Sequence, residues 1–371
     1  MRRPRWLGPY RLLYRIASGG MAETFRAERL LPDGAVHEVA IKRLLDRFNA
    51  DEEFVVMLAD EARLTARVDH PNVARIYEFG VVDDQHVLVM EFVDGVDLRA
   101  LLRRGRERDE PVDVVSAAFV VEQALRGLEA AHGAQDAQGR PLELVHRDFS
   151  PSNILISVRG DVKLTDFGIA KARLSRVRTR AGVIKGKVKY MSPEQTAGKR
   201  LDVRSDVFAA GVVLYHAATG HLPFHAPEDA ALMVAIRELQ PDPPSRHGGG
   251  LDRRFDALLE RALAKDPADR YPTAEAFAEA LAEWRRARDP DYEPRRLGQL
   301  VERFFARERR EAQAAFAEID REAAPDAEGT PAHERRGYTR LVDTGHFTDD
   351  VELDPVADVD AWLAQRRERA A

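Results

Sequence analysis

Between Val145 and Gly168 the chain runs through two short strand-like stretches, Ile154-Leu155-Ile156 and Val162-Lys163-Leu164, separated by the turn Arg159-Gly160-Asp161. Such a hairpin presents one loop at each end. The first loop carries His146-Arg147-Asp148, with Asn153 five residues beyond the aspartate, and the second carries Asp166-Phe167-Gly168. The hairpin interrupts a region whose pattern is otherwise helical.

The flanking sequence divides into two kinds of pattern. From Tyr10 to about Phe92, short apolar runs alternate with turn signals; Val39-Ala40-Ile41 and Val87-Leu88-Val89-Met90 read as strands. One helix is expected among them, over Phe54 to Val68, with Asn49 and Glu52 as a capping-box start. Beyond Asp94-Gly95 helices take over. Val114, Ala118, Val121, Leu125, Leu128 and His132 share one helix face, which Gly133 ends. Val207 to Thr219 reads as a buried core helix. The expectation is an α+β chain, with a small β-rich lobe at about 10–93 and a larger α-helical lobe at about 95–288. A helical extension follows at 289–322, whose Leu300, Val301, Phe304 and Phe305 form a docking face. Residues 323–371 read as a disordered tail closing on a short helix at about Val359 to Arg369.

With 371 residues the chain is long enough for one large two-lobed domain and an appendage. Lys plus Arg number 57 and Asp plus Glu 63, a net charge of -6, so no basic excess points to nucleic acid. Cysteine is absent, which excludes disulfides, thiolate metal sites and a cysteine nucleophile. The basic start MRRPRWLGPY lacks the apolar run of a signal peptide, and no stretch nears the roughly 20 apolar residues of a membrane span. A cytoplasmic location is expected.

Phosphoryl transfer requires phosphate cradling, metal-holding oxygen ligands and a group that orients the attacking hydroxyl. The chain offers each in order: Val39-Ala40-Ile41-Lys42, Glu61 on the following helix, His146-Arg147-Asp148 with Asn153, Asp166-Phe167-Gly168, and Ser192-Pro193-Glu194. A Val-Ala-Ile-Lys string alone is weak, because an exposed lysine on a strand is commonplace. The ordered series is highly specific. From about Tyr10 to Arg288 the chain resembles the bacterial eukaryotic-like (Hanks-type) serine/threonine protein kinases, especially those of myxobacterial type.

That resemblance implies a bilobal protein-kinase fold, ATP and Mg²⁺ as cofactors, and proteins bearing Ser or Thr as substrates. Lys42 would hold the α- and β-phosphates and Glu61 would fix its side chain. Asp148 would accept the hydroxyl proton or orient the hydroxyl. Asn153 and Asp166 would bind Mg²⁺, a hard ion that prefers oxygen ligands. Around the nucleotide the family places the loop Ile16, Ala17, Ser18, Gly19, Gly20, Met21, Ala22 and Thr24, with Ala40 and the connector residues Met90, Glu91 and Val93 at the base; Met90 reads equally as core. Glu194 and Arg270 would form a buried ion pair, Asp206 would anchor the catalytic loop, and His146 and Phe167 would pack.

The chain departs from the family pattern in three places. Ala17 and Ala22 stand at two of the three glycine positions of the nucleotide loop, which removes access to positive φ there. Ser150 stands where most Ser/Thr kinases carry a lysine contacting the γ-phosphate, and Lys187 stands where they carry a threonine. Lys187 is either the replacement cation or a solvated lysine. Arg147 implies control by activation-segment phosphorylation, with Thr179 the first candidate and Ser175 the second, against a flexible basic loop that is never modified. Thr339, Thr344 and Thr348 in the tail read either as modification or docking sites or as plain tail. Two other classes share parts of the pattern. A pseudokinase would explain the thin glycine loop but not the full set of Lys42, Glu61, Asp148, Asn153 and Asp166. A small-molecule phosphotransferase gives no reason for Ser192-Pro193-Glu194 together with Arg270.

Overall fold

A three-residue strand followed by three nine-residue strands opens the described part of the chain. In the computed structural model, which describes residues 5–31, 34–82, 84–136, 138–167, 188–248, 250–322 and 338–343, the chain divides into two units. The first takes residues 1–66, 74–92 and 305–371, and the second residues 67–73 and 93–304.

The first unit is built on an antiparallel sheet of β1 (Arg5–Leu7), β2 (Tyr10–Ser18), β3 (Ala22–Leu30), β4 (Val36–Leu44), β5 (Ile76–Val82) and β6 (Gln85–Glu91), joined by β10 (Tyr338–Asp343). Its order is β1-β2-β3-β4-β6-β5-β10. Tyr10, Leu12, Phe25, Ala27, Val39, Ile41, Val87 and Val89 pack into one buried cluster on this sheet. Burying the valine, leucine, isoleucine and phenylalanine side chains of this cluster stabilises by roughly 1.5–3 kcal/mol each.

The first unit also contains the helices α1 (Asp46–Asn49) and α2 (Glu52–Thr65). The helix start differs from the expected one. Asp51, not Asn49, is the N-cap of α2, its side chain accepting the N–H of Glu53 at 3.0 Å. Asn49 instead ends α1 and turns its Oδ1 to the N–H of His86 at 2.9 Å. An acidic pair, Glu52 and Glu53, then sits in the first turn of α2, where it complements the positive helix end. The run Phe54 to Ala59 is buried without interruption, so this helix has no solvent face over that stretch.

The second unit contains β7 (Gly95–Asp97), α3 (Leu98–Glu107), α4 (Val114–His132), β8 (Ile154–Ser157), β9 (Val162–Leu164), α5 (Pro193–Thr196), α6 (Val203–Thr219), α7 (Asp229–Glu238), α8 (Arg253–Ala262) and α9 (Ala274–Arg288). It also holds the first part of α10 (Pro294–Glu322). α4 has the expected limits, capped by Asp113 at its start and Gly133 at its end. Gly127 on α4 lies where a Cβ would collide with the carbonyl of Asn72, so glycine is required for the close approach of that segment. Asn72 in turn fastens β9: its carbonyl accepts the N–H of Leu164 at 2.8 Å and its Nδ2 donates to the carbonyl of Val162 at 2.9 Å. The hairpin read from the sequence, β8 with β9, is thereby held against α4.

Two further findings concern the C-terminal part of the chain. On the C-terminal helix, Val301 and Phe304 of the expected docking face are fully buried, and Arg104 of α3 donates to the Phe304 carbonyl at 2.7 Å. α10 also kinks at Phe305 (φ -117°, ψ 15°). The tail is not without structure at 338–343, where β10 pairs with β5. The terminal helix expected near 359–369 lies outside the described residues, as do Thr344 and Thr348.

Candidate active site

In the first unit, Lys42 on β4 stands in register with Thr24 of β3 and Leu88 of β6. Its Nζ lies 3.2 Å from Glu61 Oε1 of α2, and the two side chains are only 18% and 9% exposed. Partial burial shields this pair from solvent screening, and α2 fixes the lysine's direction. Ala40 and Met90 face each other across β4 and β6, both buried, and Glu91 ends β6 with its N–H on the Arg75 carbonyl at 2.8 Å. Val93 begins the longer segment of the second unit.

The nucleotide-loop residues form a hairpin. Ile16, Ala17 and Ser18 end β2, Gly19, Gly20 and Met21 make the turn, and Ala22 and Thr24 begin β3, with the Gly19 N–H on the Ala22 carbonyl at 2.8 Å. Neither Ala17 nor Ala22 has positive φ. The expected backbone penalty of alanine at these glycine positions is therefore absent, because the hairpin takes both through ordinary extended conformations.

In the second unit the catalytic loop is clamped from several sides. Asp206, at the start of α6, accepts the N–H of His146 at 2.7 Å on Oδ2 and that of Arg147 at 2.8 Å on Oδ1. His132 of α4 places Nε2 2.9 Å from the same Oδ2. On the other side, Gln195 Nε2 donates to the Arg147 carbonyl at 2.9 Å. Between these contacts Arg147 is held at φ 64°, a left-handed conformation unfavourable for a non-glycine residue. His146 is wholly buried, its ring centroid 4.7 Å from that of Phe167, and its Nδ1 accepts the N–H of Asp148 at 3.3 Å. It packs, as expected.

Asn153 connects the two functional loops. Its Nδ2 donates to the Asp148 carbonyl and to Asp148 Oδ2, both at 2.9 Å, and lies 3.5 Å from the Asp166 carbonyl; its own carbonyl accepts the N–H of Thr165 at 3.0 Å. Asp166, at φ 53°, is the second strained residue of the site. The Asn153 side-chain oxygen, which accepts the Ser152 hydroxyl at 3.3 Å, and the Asp166 carboxylate are both hard oxygen donors. One carboxylate and one amide oxygen fit Mg²⁺, which takes few protein ligands and completes its octahedron with water and phosphate. Ser150 is buried and its Oγ sits 3.0 Å from Ser152 Oγ, so it supplies no charge here. Lys187, Ser175, Thr179 and Gly168 lie outside the described residues.

The frame beneath the loop is ionic. Arg270 Nη1 and Nη2 donate to Glu194 Oε1 and Oε2 at 2.8 and 2.9 Å, and its remaining donors reach the carbonyls of Ala264, Arg204 and Lys265. All five guanidinium hydrogens are thus used at a side chain that is fully buried. Burial alone pushes the Glu194 carboxyl up, but hydrogen bonds from Arg270 and Ser205 outweigh it and hold it below the usual range. Nearby, Tyr190 Oη lies 3.0 Å from His216 Nδ1. Burial drives Tyr190 up to about 12 and, with Arg106, Lys189 and His221 adding their charges, His216 down to about 4.

Sequence reasoning missed Gln195 and His132. Gln195 was legible in part: Ser192 and Gln195 form a reciprocal capping box on α5, a pattern three residues apart, but its second bond to Arg147 carries no local signal.

These features are those of a protein kinase, and the sequence profile described as the protein kinase domain matches residues 10–281. The chain belongs to that family. It is similar to a tyrosine-protein kinase, MasK, of Myxococcus xanthus, 45% identical over 276 residues covering 74% of this chain and 42% of that protein. It is also similar to the serine/threonine-protein kinases PrkC of Bacillus subtilis (37% identical, 72% of this chain, 39% of that protein) and pkn3 of Myxococcus xanthus (38%, 77%, 52%). The chain therefore spans about half or less of these relatives' own length. Among solved structures, the kinase domain of Mycobacterium tuberculosis PknI matches with a TM-score of 0.56 at 26% identity, covering 76% of this chain and 98% of that one. The β-rich N-terminal lobe and helical C-terminal lobe expected from the sequence are those of this fold. No helix among the described residues is long and apolar enough to cross a membrane.

Proposed function

We propose that the chain transfers the γ-phosphoryl group of ATP to Ser and Thr hydroxyls of proteins, with Mg²⁺, in bacterial signalling, and that it phosphorylates its own activation segment at Thr179 or Ser175. The observation that carries this reading is the Asn153 amide bonded to the Asp148 carboxylate, which sets the group that would receive the substrate proton.

In the proposed reaction the substrate hydroxyl oxygen bonds to the γ-phosphorus as the bond from that phosphorus to the β–γ bridging oxygen breaks. The hydroxyl proton goes to Asp148, and ADP carries away the bridging oxygen. Lys42, steadied by Glu61, holds the α- and β-phosphates. Asn153 and Asp166 are the residues that would hold Mg²⁺, whose charge offsets that on the phosphates. The family's γ-phosphate lysine is absent at Ser150, and Lys187 is proposed to supply that charge.

Pro151 and the Ser192-Pro193-Glu194 segment favour Ser and Thr over Tyr, as do the names of PrkC and pkn3; MasK carries the other name. Acid hydrolysis of a phosphorylated generic substrate, followed by phosphoamino-acid separation, decides the point. Phosphoserine and phosphothreonine are expected, and phosphotyrosine alone would overturn the specificity. Mass spectrometry of the chain after incubation with ATP and Mg²⁺ is expected to find phosphate on Thr179 or Ser175.

A further inference from the structure

Strand β5 would be the edge of the first unit's sheet if β10 did not cover it. It is a poor edge to leave bare: Ile76, Tyr77, Phe79 and Val82 on its seven residues are all buried, and Glu78 is fully buried in a network with Tyr10 and Arg29. A long apolar edge with unpaired N–H and C=O groups is a template for another chain. β10 meets that need from far along the sequence. Tyr338 pairs with Val82, Thr339 with Val81, Arg340 with Gly80, Val342 with Phe79 and Asp343 with Glu78, and a bulge at Leu341 keeps the two strands in step.

β10 also has a composition that favours a strand. Tyr338, Thr339 and Val342 are aromatic or β-branched, and Gly337 and Gly345 punctuate the run on both sides in the sequence. The segment lies outside the part matched by the family profile, which ends at 281. β5, in turn, packs against α2, the helix that carries Glu61 to Lys42.

We propose that the β5 edge is a docking surface for an extended peptide, that Tyr338–Asp343 is its resident ligand, and that the docked strand latches β5 and thereby steadies α2. Main-chain pairing gives the affinity of such strand addition. The bearing of α2 on phosphoryl transfer rests on the kinase reading, but docking and latching do not.

The test is amide hydrogen exchange on the full chain and on its Thr339→Pro/Val342→Pro variant, since proline removes strand donors and fixes φ. Amides of Phe79–Val82 that point away from β6 should exchange about tenfold faster or more in the variant, and α2 amides from Phe54 to Ala62 should also speed up. A synthetic peptide of residues 335–346 added in trans should restore both. Amides of α4 and α6 report whether the second unit is intact. If they too loosen, Val342→Gly is used instead and must give the β5 and α2 pattern at smaller amplitude. Equal β5 exchange in all chains overturns the docking, and faster β5 exchange with α2 unchanged overturns the latch. No turnover is measured, so a chain that proves inactive leaves this result standing or falling by itself.

Discussion

Asp206 Oδ1 accepts the backbone N–H of Arg147 at 2.8 Å and so holds a residue that stands at φ 64°. The same carboxylate also takes the His146 N–H and faces His132. Asp206→Asn keeps the volume but offers one acceptor oxygen for three donors. At least one buried donor is left without its partner, which costs about 1–3 kcal/mol. The variant is expected to lose that much stability in urea unfolding, and its kcat should fall by about tenfold to a hundredfold as Asp148 drifts. An unchanged kcat would show that the clamp does not position the loop.

Arg270→Met removes one partner of a fully buried pair and leaves the Glu194 carboxylate uncompensated. The expected loss is about 3–5 kcal/mol. The double variant Arg270→Met/Glu194→Leu should recover much of it, because the stranded charge is gone. Thermal unfolding of both variants checks the prediction; equal loss in the two would mean that packing of Arg270 on Phe208, 4.9 Å from ring centroid to guanidinium, dominates.

His216 supplies a pH dependence. Its half-buried ring is pushed down to about 4, below the ordinary histidine value of about 6.5 that applies in the unfolded chain. Between those values the unfolded chain binds a proton that the folded chain refuses, so this group's contribution to stability is complete above about pH 6.5 and declines as the pH falls toward 4. The difference in melting temperature between pH 7.5 and pH 5 should shrink in His216→Gln. An undiminished difference would assign the acid sensitivity to other groups.

Lys187→Ala should lower kcat by about tenfold or more if that lysine replaces the charge missing at Ser150, in line with the loss of a charge-assisted contact in the transition state. Ser150→Lys/Lys187→Thr should restore activity by returning the cation to the family position. An unchanged kcat in the first variant and no gain in the second contradict the exchange.

Much of this molecule could be read from local pattern. The face repeated from Val114 to His132, bounded by Asp113 and Gly133, gave α4 its limits, because helix periodicity and caps are local physics. The hairpin of β8 and β9 was legible for the same reason. Where two caps competed, the reading failed: Asn49 and Asp51 both suit a helix start, and His86, distant in sequence, drew Asn49 away. β10 was missed although its aromatic and β-branched residues suit a strand, because a six-residue run becomes one only by finding β5, and nothing local names that partner. In the site, Lys42, Glu61, Asp148, Asn153 and Asp166 were named through motif order, whereas His132 and the second bond of Gln195 depend on packing between elements.

The central claim is that Asp148 serves phosphoryl transfer. It is tested by incubating the full chain and its Asp148→Asn variant with γ-labelled ATP, Mg²⁺ and a generic basic protein. Asparagine preserves the shape but cannot take the proton, so label incorporation is expected to fall by about a hundredfold or more while ATP binding is retained. Equal incorporation by the two chains, or none by the unaltered one, would contradict it.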